Sequence, residues 1–386
     1  MISVSRLLHD ETGPGDYLRY EGRADSASEA RPVVVWNCTR RCNLNCVHCY
    51  ADAAGKPSEE MDTAAGRELI GQLAAFGVPV LLFSGGEPLM REDIFELARF
   101  ATGNGVGAVL STNGTLITAE IAREIRETGF REVGISLDGI GALNDEFRGK
   151  SGAFDKALAG IRNCIEAGQR VSLRMTITKA NYHQVPAIFD LAEREGIDRL
   201  CFYHLAYAGR GNDLRHIDLS HNETRDVVDL ICERTLDLYH RRLAKEVLLV
   251  ANHCDGVYLY LKERHRDRSR AENIYRLLQI NGGNNSGIRI GAVDETGEVH
   301  PDQFWRTLTV GNVLDRPFGE IWSDASHPVM GGLKDRKPLL KGRCAGCRYL
   351  EICNGNLRSR AEAVFDDIWA EDSSCYLTDE EIGTVI

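Results

Sequence analysis

The pattern of hydrophobic and polar positions divides the chain into two unlike parts. From residue 31 to residue 212, short apolar runs alternate with amphipathic stretches in which apolar residues recur at helical spacing. The apolar runs predict buried strands at 33–37, 78–84, 107–112, 132–138, 171–178 and 198–205. Several of the helices predicted between them end at glycine, as helices commonly do.

This alternation indicates a parallel sheet joined by right-handed crossovers. The sheet is predicted to be either an open doubly wound sheet or a partial barrel. In both arrangements, the chemistry collects at the carboxyl ends of the strands.

After residue 212 the alternation stops. Residues 222–245 predict a charged helix, and residues 287–304 predict a hairpin that turns at Glu295, Thr296 and Gly297. The remainder is rich in turn residues and carries four cysteines, which is typical of a small domain stabilised by metal. We therefore predict an N-terminal extension at 1–31, a strand–helix domain at 32–215, a helical bridging segment at 216–285 and a metal-stabilised domain at 286–386.

Composition and charge limit the classes of partner. The chain has 386 residues, of which 43% are hydrophobic, and this fits two or three packed units. Its net charge of -11 disfavours binding to nucleic acid or to an anionic membrane, so an anionic small substrate would need a local basic pocket. There is no secretory-type N-terminus and no apolar run of bilayer length, which predicts a cytoplasmic protein with no membrane partner.

Cysteine usage points to metal or redox chemistry. Twelve cysteines are many for a cytoplasmic chain, in which disulfides would be reduced. One group near the start comprises Cys38, Cys42, Cys46 and Cys49, and one near the end comprises Cys344, Cys347, Cys353 and Cys375. The other four, Cys164, Cys201, Cys232 and Cys254, are scattered singly and are predicted to be small buried apolar residues.

The stretch CNLNCVHCY places Cys42, Cys46 and Cys49 just after the first predicted strand. A closed metal site takes four ligands, so either Cys38 is the fourth or one position stays open. A structural zinc site would need a second pair of ligands nearby in the sequence, and the spacing of these cysteines does not match the usual two-plus-two pattern. An iron–sulfur cluster on three thiolates would leave one iron open to a small chelating ligand, and Cys38 would then be a packing thiol.

A second motif, SGGEP, ends the second predicted strand at residues 84–88. Gly85 and Gly86 allow the backbone to approach a ligand closely, and Glu87 is able to accept a hydrogen bond from an ammonium group. With the three-cysteine loop and the aromatic Tyr50, this motif resembles the radical S-adenosylmethionine superfamily. The resemblance implies an α/β fold with a partial (β/α)6 barrel. It also implies a [4Fe-4S] cluster on the three cysteines, with the fourth iron chelated by the amino and carboxylate groups of S-adenosylmethionine.

The same resemblance assigns polar residues at strand ends to the cofactor. The cofactor-binding candidates are Tyr50, Ser84, Gly85, Gly86, Glu87, Asn113, Ser136, Asp138 and Arg174. A polar residue at a strand end is otherwise a cap or turn former, and that interpretation stays open for each of them. No catalytic side chain is identified.

The C-terminal cysteines are open to two interpretations. A zinc ribbon would use Cys344, Cys347, Cys353 and Cys375. Together with the first motif, they resemble the auxiliary [4Fe-4S] cluster of the SPASM and twitch branch of the superfamily. Asp302 and Leu357 stand where the fuller SPASM pattern carries further cysteines, so we predict one auxiliary cluster and two [4Fe-4S] clusters in all. A cluster with four thiolates has no open iron, which suits electron transfer or structural stabilisation.

Short sequence segments spread over nearly the whole chain, such as YHLAYAGRG and WAEDSSCYLTDEEIG, resemble those of enzymes that modify side chains of sirohaem-derived tetrapyrroles. One sister group removes acetates from 12,18-didecarboxysirohaem to give iron-coproporphyrin III, and the other acts on propionates of the same substrate in haem d1 synthesis. The N-terminal extension favours the first group. The implied chemistry is hydrogen abstraction by a 5'-deoxyadenosyl radical, with electrons from a donor such as flavodoxin or ferredoxin.

A tetrapyrrole that bears carboxylates would need basic side chains around it. The candidates are Arg210, Arg215, Arg289, His204, His253 and His300, for which surface solvation or core packing is the alternative interpretation. Two other functions stay open. A peptide-modifying SPASM enzyme would normally carry a leader-binding domain, for which residues 1–30 look too short, and a zinc-stabilised binding protein would carry out no catalysis.

Overall fold

The computed structural model describes residues 1–21, 30–53, 59–243 and 245–383. The strands are β1 (Ile2–Ser3), β2 (Val33–Asn37), β3 (Val80–Ser84), β4 (Gly107–Thr112), β5 (Glu132–Ser136), β6 (Val171–Ile177), β7 (Arg199–His204), β8 (Glu246–Val250), β9 (Ile290–Val293), β10 (Glu298–His300) and β11 (Gly311–Asn312). The first eight helices are α1 (Val4–His9), α2 (Asp16–Tyr20), α3 (Thr63–Phe76), α4 (Ile94–Gly103), α5 (Ala119–Thr128), α6 (Ala142–Arg148), α7 (Ala153–Glu166) and α8 (Val185–Glu195). The others are α9 (His221–His240), α10 (Cys254–Arg266), α11 (Arg268–Asn281), α12 (Phe318–Ser323), α13 (Pro328–Lys334), α14 (Leu350–Cys353), α15 (Arg358–Phe365) and α16 (Asp379–Ile382).

These strands form one sheet in the order β1-β8-β7-β6-β5-β4-β3-β2-β9-β10-β11. In this order, every pair of neighbouring strands between β8 and β9 is parallel. The six predicted strands are confirmed as β2 to β7, and the predicted hairpin is confirmed as β9 and β10. The strand order has two ends, so the barrel is open on one side.

Alternation along the strands separates an outer core from an inner cavity. Trp36 and Phe83 point outward and are fully buried with the covering helices. Val35 and Leu82, on the opposite face, line the interior together with Val109 of β4. Because strands far apart in the sheet line the same space, the sheet curves around it.

The sheet also runs through all four predicted domains. β1 of the N-terminal extension pairs with β8, which lies inside the predicted bridging segment 216–285. β9, at the start of the predicted domain 286–386, pairs with β2. The boundaries of these domains stay a prediction. None of the helices in the described residues is long and apolar enough to cross a membrane.

Candidate active site

The segment that follows β2 brings three cysteines to one cavity at the carboxyl ends of the strands. Cys42, Cys46 and Cys49 line this space of about 170 Å³, and Gly85 and Gly86 line it too. We call it the upper cavity. Burial raises the pKa of Cys42 to about 12 and also raises that of Cys46. A bound cation is what keeps such buried thiols deprotonated at neutral pH.

The spacing of the sulfur atoms bears on the kind of metal. Among the described residues, no three cysteine sulfurs lie within 4.8 Å of one another. A tetrahedral zinc site with Zn–S bonds of about 2.3 Å would hold its sulfurs roughly 3.8 Å apart. As placed here, the three thiols of the motif are therefore too far apart to share one tetrahedral ion.

The SGGEP loop lies directly against the segment that leads into the cysteines. The backbone N–H of Gly86 donates to the carbonyl of Thr39 at 2.7 Å, and that of Glu87 donates to the carbonyl of Arg41 at 2.8 Å. Gly85 has φ +126°, and a Cβ there would lie 2.4 Å from the Thr39 oxygen. A Cβ on Gly86 would lie 2.2 Å from the Arg41 oxygen. Only glycine permits this approach, so the motif fixes the position of the cysteine loop.

Glu87 does not line the upper cavity, although it was predicted to contact the cofactor. Its carboxylate is fully buried and accepts hydrogen bonds from Thr112 Oγ1 at 2.7 Å and from the backbone N–H of Asn113 at 2.8 Å. Burial raises its pKa, while these hydrogen bonds act in the opposite direction. Glu87 thus ties the end of β4 to the glycine loop and positions Asn113, whose side chain does line the cavity.

Asp138 is likewise not among the residues that line the cavity, although it contacts two that do. One of its oxygens accepts from the backbone N–H of Thr176 at 2.8 Å, and the other lies 3.2 Å from His48 Nε2 and 2.5 Å from an Arg148 nitrogen. Arg148 in turn points at Cys46, with 3.6 Å between its nitrogen and the sulfur. His48 and Arg148 line the upper cavity, and sequence reasoning missed both. The position of His48 inside the cysteine motif was the available signal.

The other cofactor-binding candidates meet around the upper cavity. Tyr50 donates a hydrogen bond to Asn37 at 2.9 Å, and its hydroxyl lies 3.0 Å from Ser84. Ser136 and Arg174 line the cavity, as do Tyr50 and Ser84. Arg174 donates to Ser111 Oγ at 2.6 Å, and its Nε has no hydrogen-bond partner among the described residues.

Cys38 lies outside the upper cavity. It is fully buried, and its thiol donates a hydrogen bond to the carbonyl of Ser84 at 3.3 Å. Burial raises the pKa of this thiol to about 12. These contacts are those of a packing thiol.

The C-terminal cysteines come together at a second, smaller cavity, which is lined by Cys344, Cys347, Cys353 and Cys375. Cys254, which was predicted to be a packing residue, lies beside them. Its thiol is 3.0 Å from Asn252 Oδ1. The neighbouring Cys254 thiol lowers the pKa of Cys375. Nothing in the spacing of Cys254 along the chain signals this contact.

The basic candidates are distributed unevenly. His204 pairs with Asp255 at 2.9 Å, and Arg210 is 2.9 Å from Asp52. Arg215 donates to Asn212, and His300 is 2.8 Å from the carbonyl of Leu308. His204 lines the upper cavity, whereas His253 and Arg289 line a larger cavity deeper in the barrel.

Comparisons with known proteins agree with this geometry. A family model for the radical SAM superfamily matches residues 36–192. An Fe-coproporphyrin III synthase from Methanosarcina barkeri is 54% identical over 396 aligned residues, covering 99% of each chain. The chain belongs to the radical S-adenosylmethionine superfamily. A second relative of this radical S-adenosylmethionine enzyme, a pre-heme d1 synthase from Dinoroseobacter shibae, is 43% identical over 92% of this chain and 88% of its own.

A solved structure supports the fold. Streptococcus suis SuiB bound to the precursor peptide SuiA matches with a TM-score of 0.71 and 19% identity, over 90% of this chain and 76% of that one. The predicted α/β fold of the radical S-adenosylmethionine superfamily is therefore confirmed. Membership also implies S-adenosylmethionine and a [4Fe-4S] cluster.

The residues of the upper cavity fit these two groups. Three cysteines leave one iron without a protein ligand, which suits a chelating cofactor. The Arg174 guanidinium occupies space that only a glycine leaves open, because a Cβ on Gly134 would lie 2.2 Å from its Cζ. A half-buried guanidinium with a buried, unpartnered Nε is suited to bind a carboxylate.

Proposed function

We propose that this enzyme removes the acetate side chains of 12,18-didecarboxysirohaem to give iron-coproporphyrin III. The observation that carries the proposal is the similarity to the Fe-coproporphyrin III synthase, at 54% identity over 99% of both chains. Similarity to the pre-heme d1 synthase is lower, at 43% over 92% of this chain. A substrate of this kind is a flat macrocycle that carries several carboxylates.

The first cluster binds to Cys42, Cys46 and Cys49 in this proposal, and S-adenosylmethionine binds in the upper cavity beside it. When bound, this pair supplies a 5'-deoxyadenosyl radical that removes a hydrogen atom from a substrate side chain. Arg174 and Ser136 bind polar groups of the cofactor. Glu87 and Asp138 act as positioning residues, because their carboxylates are used within the protein. The protein also keeps water away from the reacting atoms.

A second [4Fe-4S] cluster binds to Cys344, Cys347, Cys353 and Cys375. The support is that all four side chains line one cavity. With four thiolates it has no open iron, so it transfers electrons or stabilises the domain.

The electrons come from a small reducing protein such as flavodoxin or ferredoxin. We place the enzyme in the cytoplasm, a reducing compartment in which its twelve cysteines stay available to bind metal.

The test is mass spectrometry of the tetrapyrrole after anaerobic incubation of the reconstituted enzyme with S-adenosylmethionine, a reductant and 12,18-didecarboxysirohaem. Loss of both acetates to iron-coproporphyrin III is the expected result. Retained acetates with altered propionates would instead assign the enzyme to haem d1 synthesis. An untouched tetrapyrrole beside free 5'-deoxyadenosine would refute the proposed substrate and leave the radical chemistry in place.

A further inference from the structure

A cavity larger than the upper cavity lies deeper in the barrel than the cysteines. Its volume is about 370 Å³, within the range of roughly 300–1,000 Å³ that ligand pockets occupy. We call it the basal cavity, since residues at the amino ends of the strands line it. Arg131 and Arg170 immediately precede β5 and β6, Arg199 begins β7, and Arg289 precedes β9. This end of the sheet is opposite to the end that carries the cysteines.

The basal cavity is strongly basic. The arginines that line it are Arg19, Arg131, Arg170, Arg174, Arg199 and Arg289. The carboxylates that line it are those of Glu132 and Asp302. Glu246, just outside the lining, pairs with Arg19, Arg170 and Arg199. Asp16 also pairs with Arg19, so six guanidinium groups stand against four carboxylates, in a chain whose net charge is -11.

Between the amino and carboxyl ends of the strands, the wall of the basal cavity is apolar. Val33, Val35, Val80, Leu82 and Val109 line one side of the basal cavity. The aromatic rings of Tyr203 and Phe304 also line it. An apolar slot with a basic rim complements a flat macrocycle that carries carboxylates on its periphery.

The basal and upper cavities adjoin each other. They share the lining residues Val35, Leu82, Arg174, Tyr203, Gln303 and Phe304. A ligand in the basal cavity would therefore reach the space beside the proposed cofactor.

The N-terminal residues form part of the basal wall. Gly15, Tyr17, Leu18 and Arg19, in and next to α2, line the cavity. The Arg131 guanidinium donates to the Tyr17 hydroxyl at 3.3 Å, and both residues are exposed. The segment that sequence analysis treated as an extension thus forms one side of the cavity mouth.

We propose that the tetrapyrrole binds in the basal cavity and enters through the mouth beside Arg131 and α2. Its carboxylates contact the basal arginines other than Arg174, which binds the cofactor, and its reacting side chain points toward the cysteine end. This pose rests on the proposed function, since it takes the tetrapyrrole as the substrate. In this pose the substrate enters at the end of the sheet opposite to the cysteine loop. The flat ring contacts the valine and leucine wall, and the arginines orient it.

The test is the affinity of the reconstituted enzyme for iron-coproporphyrin III, the proposed product, measured by the change in tetrapyrrole absorbance on binding. Arg131 is exposed, so its replacement leaves the core intact. We expect Arg131→Gln to raise the Kd about threefold and Arg131→Glu to raise it at least tenfold, since the latter places a like charge beside the ligand carboxylates. The matched controls are Arg126→Gln and Arg126→Glu, on the exposed outer side of α5.

The Kd for S-adenosylmethionine is measured in the same variants and should keep its wild-type value. Wild-type tetrapyrrole affinity in Arg131→Glu would overturn the pose, and so would equal losses in the Arg131 and Arg126 variants. Mass spectrometry of the wild-type reaction separates the two proposals. If the acetates are lost while Arg131→Glu binds normally, the pose fails and the proposed function stands. If wild type neither binds nor converts the tetrapyrrole, the proposed function itself fails.

Discussion

Cys38 and Cys42 are four positions apart in the sequence, but their sulfur atoms have different surroundings. Cys42 lines the upper cavity, whereas Cys38 is buried against the Ser84 carbonyl. We expect Cys42→Ala to lose the iron of the first cluster and all cleavage of S-adenosylmethionine. Cys38→Ala should keep full iron content, because its sulfur lies outside the cavity. Iron analysis of both anaerobically reconstituted variants is the measurement, and equal iron loss would contradict the three-ligand assignment.

Arg148 provides a residue-scale test of cluster tuning. Its guanidinium lies 3.6 Å from Cys46 Sγ and pairs with buried Asp138. A positive donor near a cluster sulfur favours the reduced, more negative state of the cluster. We expect Arg148→Gln to lower the reduction potential of the first cluster by about 50 mV, and Arg148→Lys to lower it less.

Redox titration followed by electron paramagnetic resonance measures this shift. The control is Arg126→Gln, which removes an exposed arginine far from the cysteine loop. A potential that stays at the wild-type value in Arg148→Gln would show that the guanidinium does not act on the cluster.

At the residue scale, motifs predicted which cysteines gather but not what the acidic residues do. The structure shows the partners of the Glu87 and Asp138 carboxylates within the protein, and their contacts with the cofactor stay a prediction. Their partners lie elsewhere in the chain, as with Asp138 and His48, which are 90 residues apart. A local pattern carries no information about such pairs.

At the element scale, the apolar runs predicted the strands because strands covered on both faces read as continuous apolar segments. β2 and β4 have the predicted bounds of 33–37 and 107–112, and the other four strands differ by at most two residues at an end. β8 was not predicted, although all five of its residues are buried. It follows the long charged helix α9, so the regular alternation that identified the other strands is missing there.

The glycine loop after β3 is the element on which the cysteine loop depends. Gly86→Ala would place a methyl group 2.2 Å from the backbone oxygen of Arg41, which has no room to yield. We expect at least a tenfold rise in the Kd for S-adenosylmethionine, measured by anaerobic calorimetry. The same substitution at Gly71, inside α3 with nothing within 4 Å, is the control.

Gly71→Ala should bind S-adenosylmethionine as wild type does. It should also raise the free energy of unfolding by about 0.5–1 kcal/mol, because alanine is the better residue inside a helix. Normal cofactor affinity in Gly86→Ala would contradict the role assigned to the glycine loop.

At the scale of the whole molecule, sequence reasoning did not predict how the C-terminal part joins the barrel. The basal cavity combines residues as distant as Leu18 and Leu357. The apolar pattern identifies which faces are buried, but it does not identify their partners. The sequence therefore did not predict that the arginines of this cavity lie together, and only Arg174 and Arg289 were among the predicted binding residues.

One buried ion pair fastens the C-terminal part to the barrel. Arg360 and Asp372 are both fully buried, with 2.9 Å between Nη1 and Oδ2. Arg360 also donates to the carbonyls of Leu205 and Ala251, which directly follow β7 and β8. Asp372 lines the C-terminal cysteine cavity. The pair thus connects the barrel to the proposed auxiliary cluster.

We expect Arg360→Met to reduce the free energy of unfolding by about 3–5 kcal/mol, because it leaves the Asp372 charge buried without its partner. Arg316→Met is the control. Arg316 pairs with Asp324 at 3.1 Å but is 42% exposed, so its loss should cost at most about 1 kcal/mol. Urea unfolding followed by tryptophan fluorescence measures the free energy of unfolding of both variants.

Arg360→Met should also lower the iron content of the auxiliary site while the first cluster remains, since Arg360 does not line the upper cavity. Equal stability of the two variants would show that the pair does not fasten the C-terminal part.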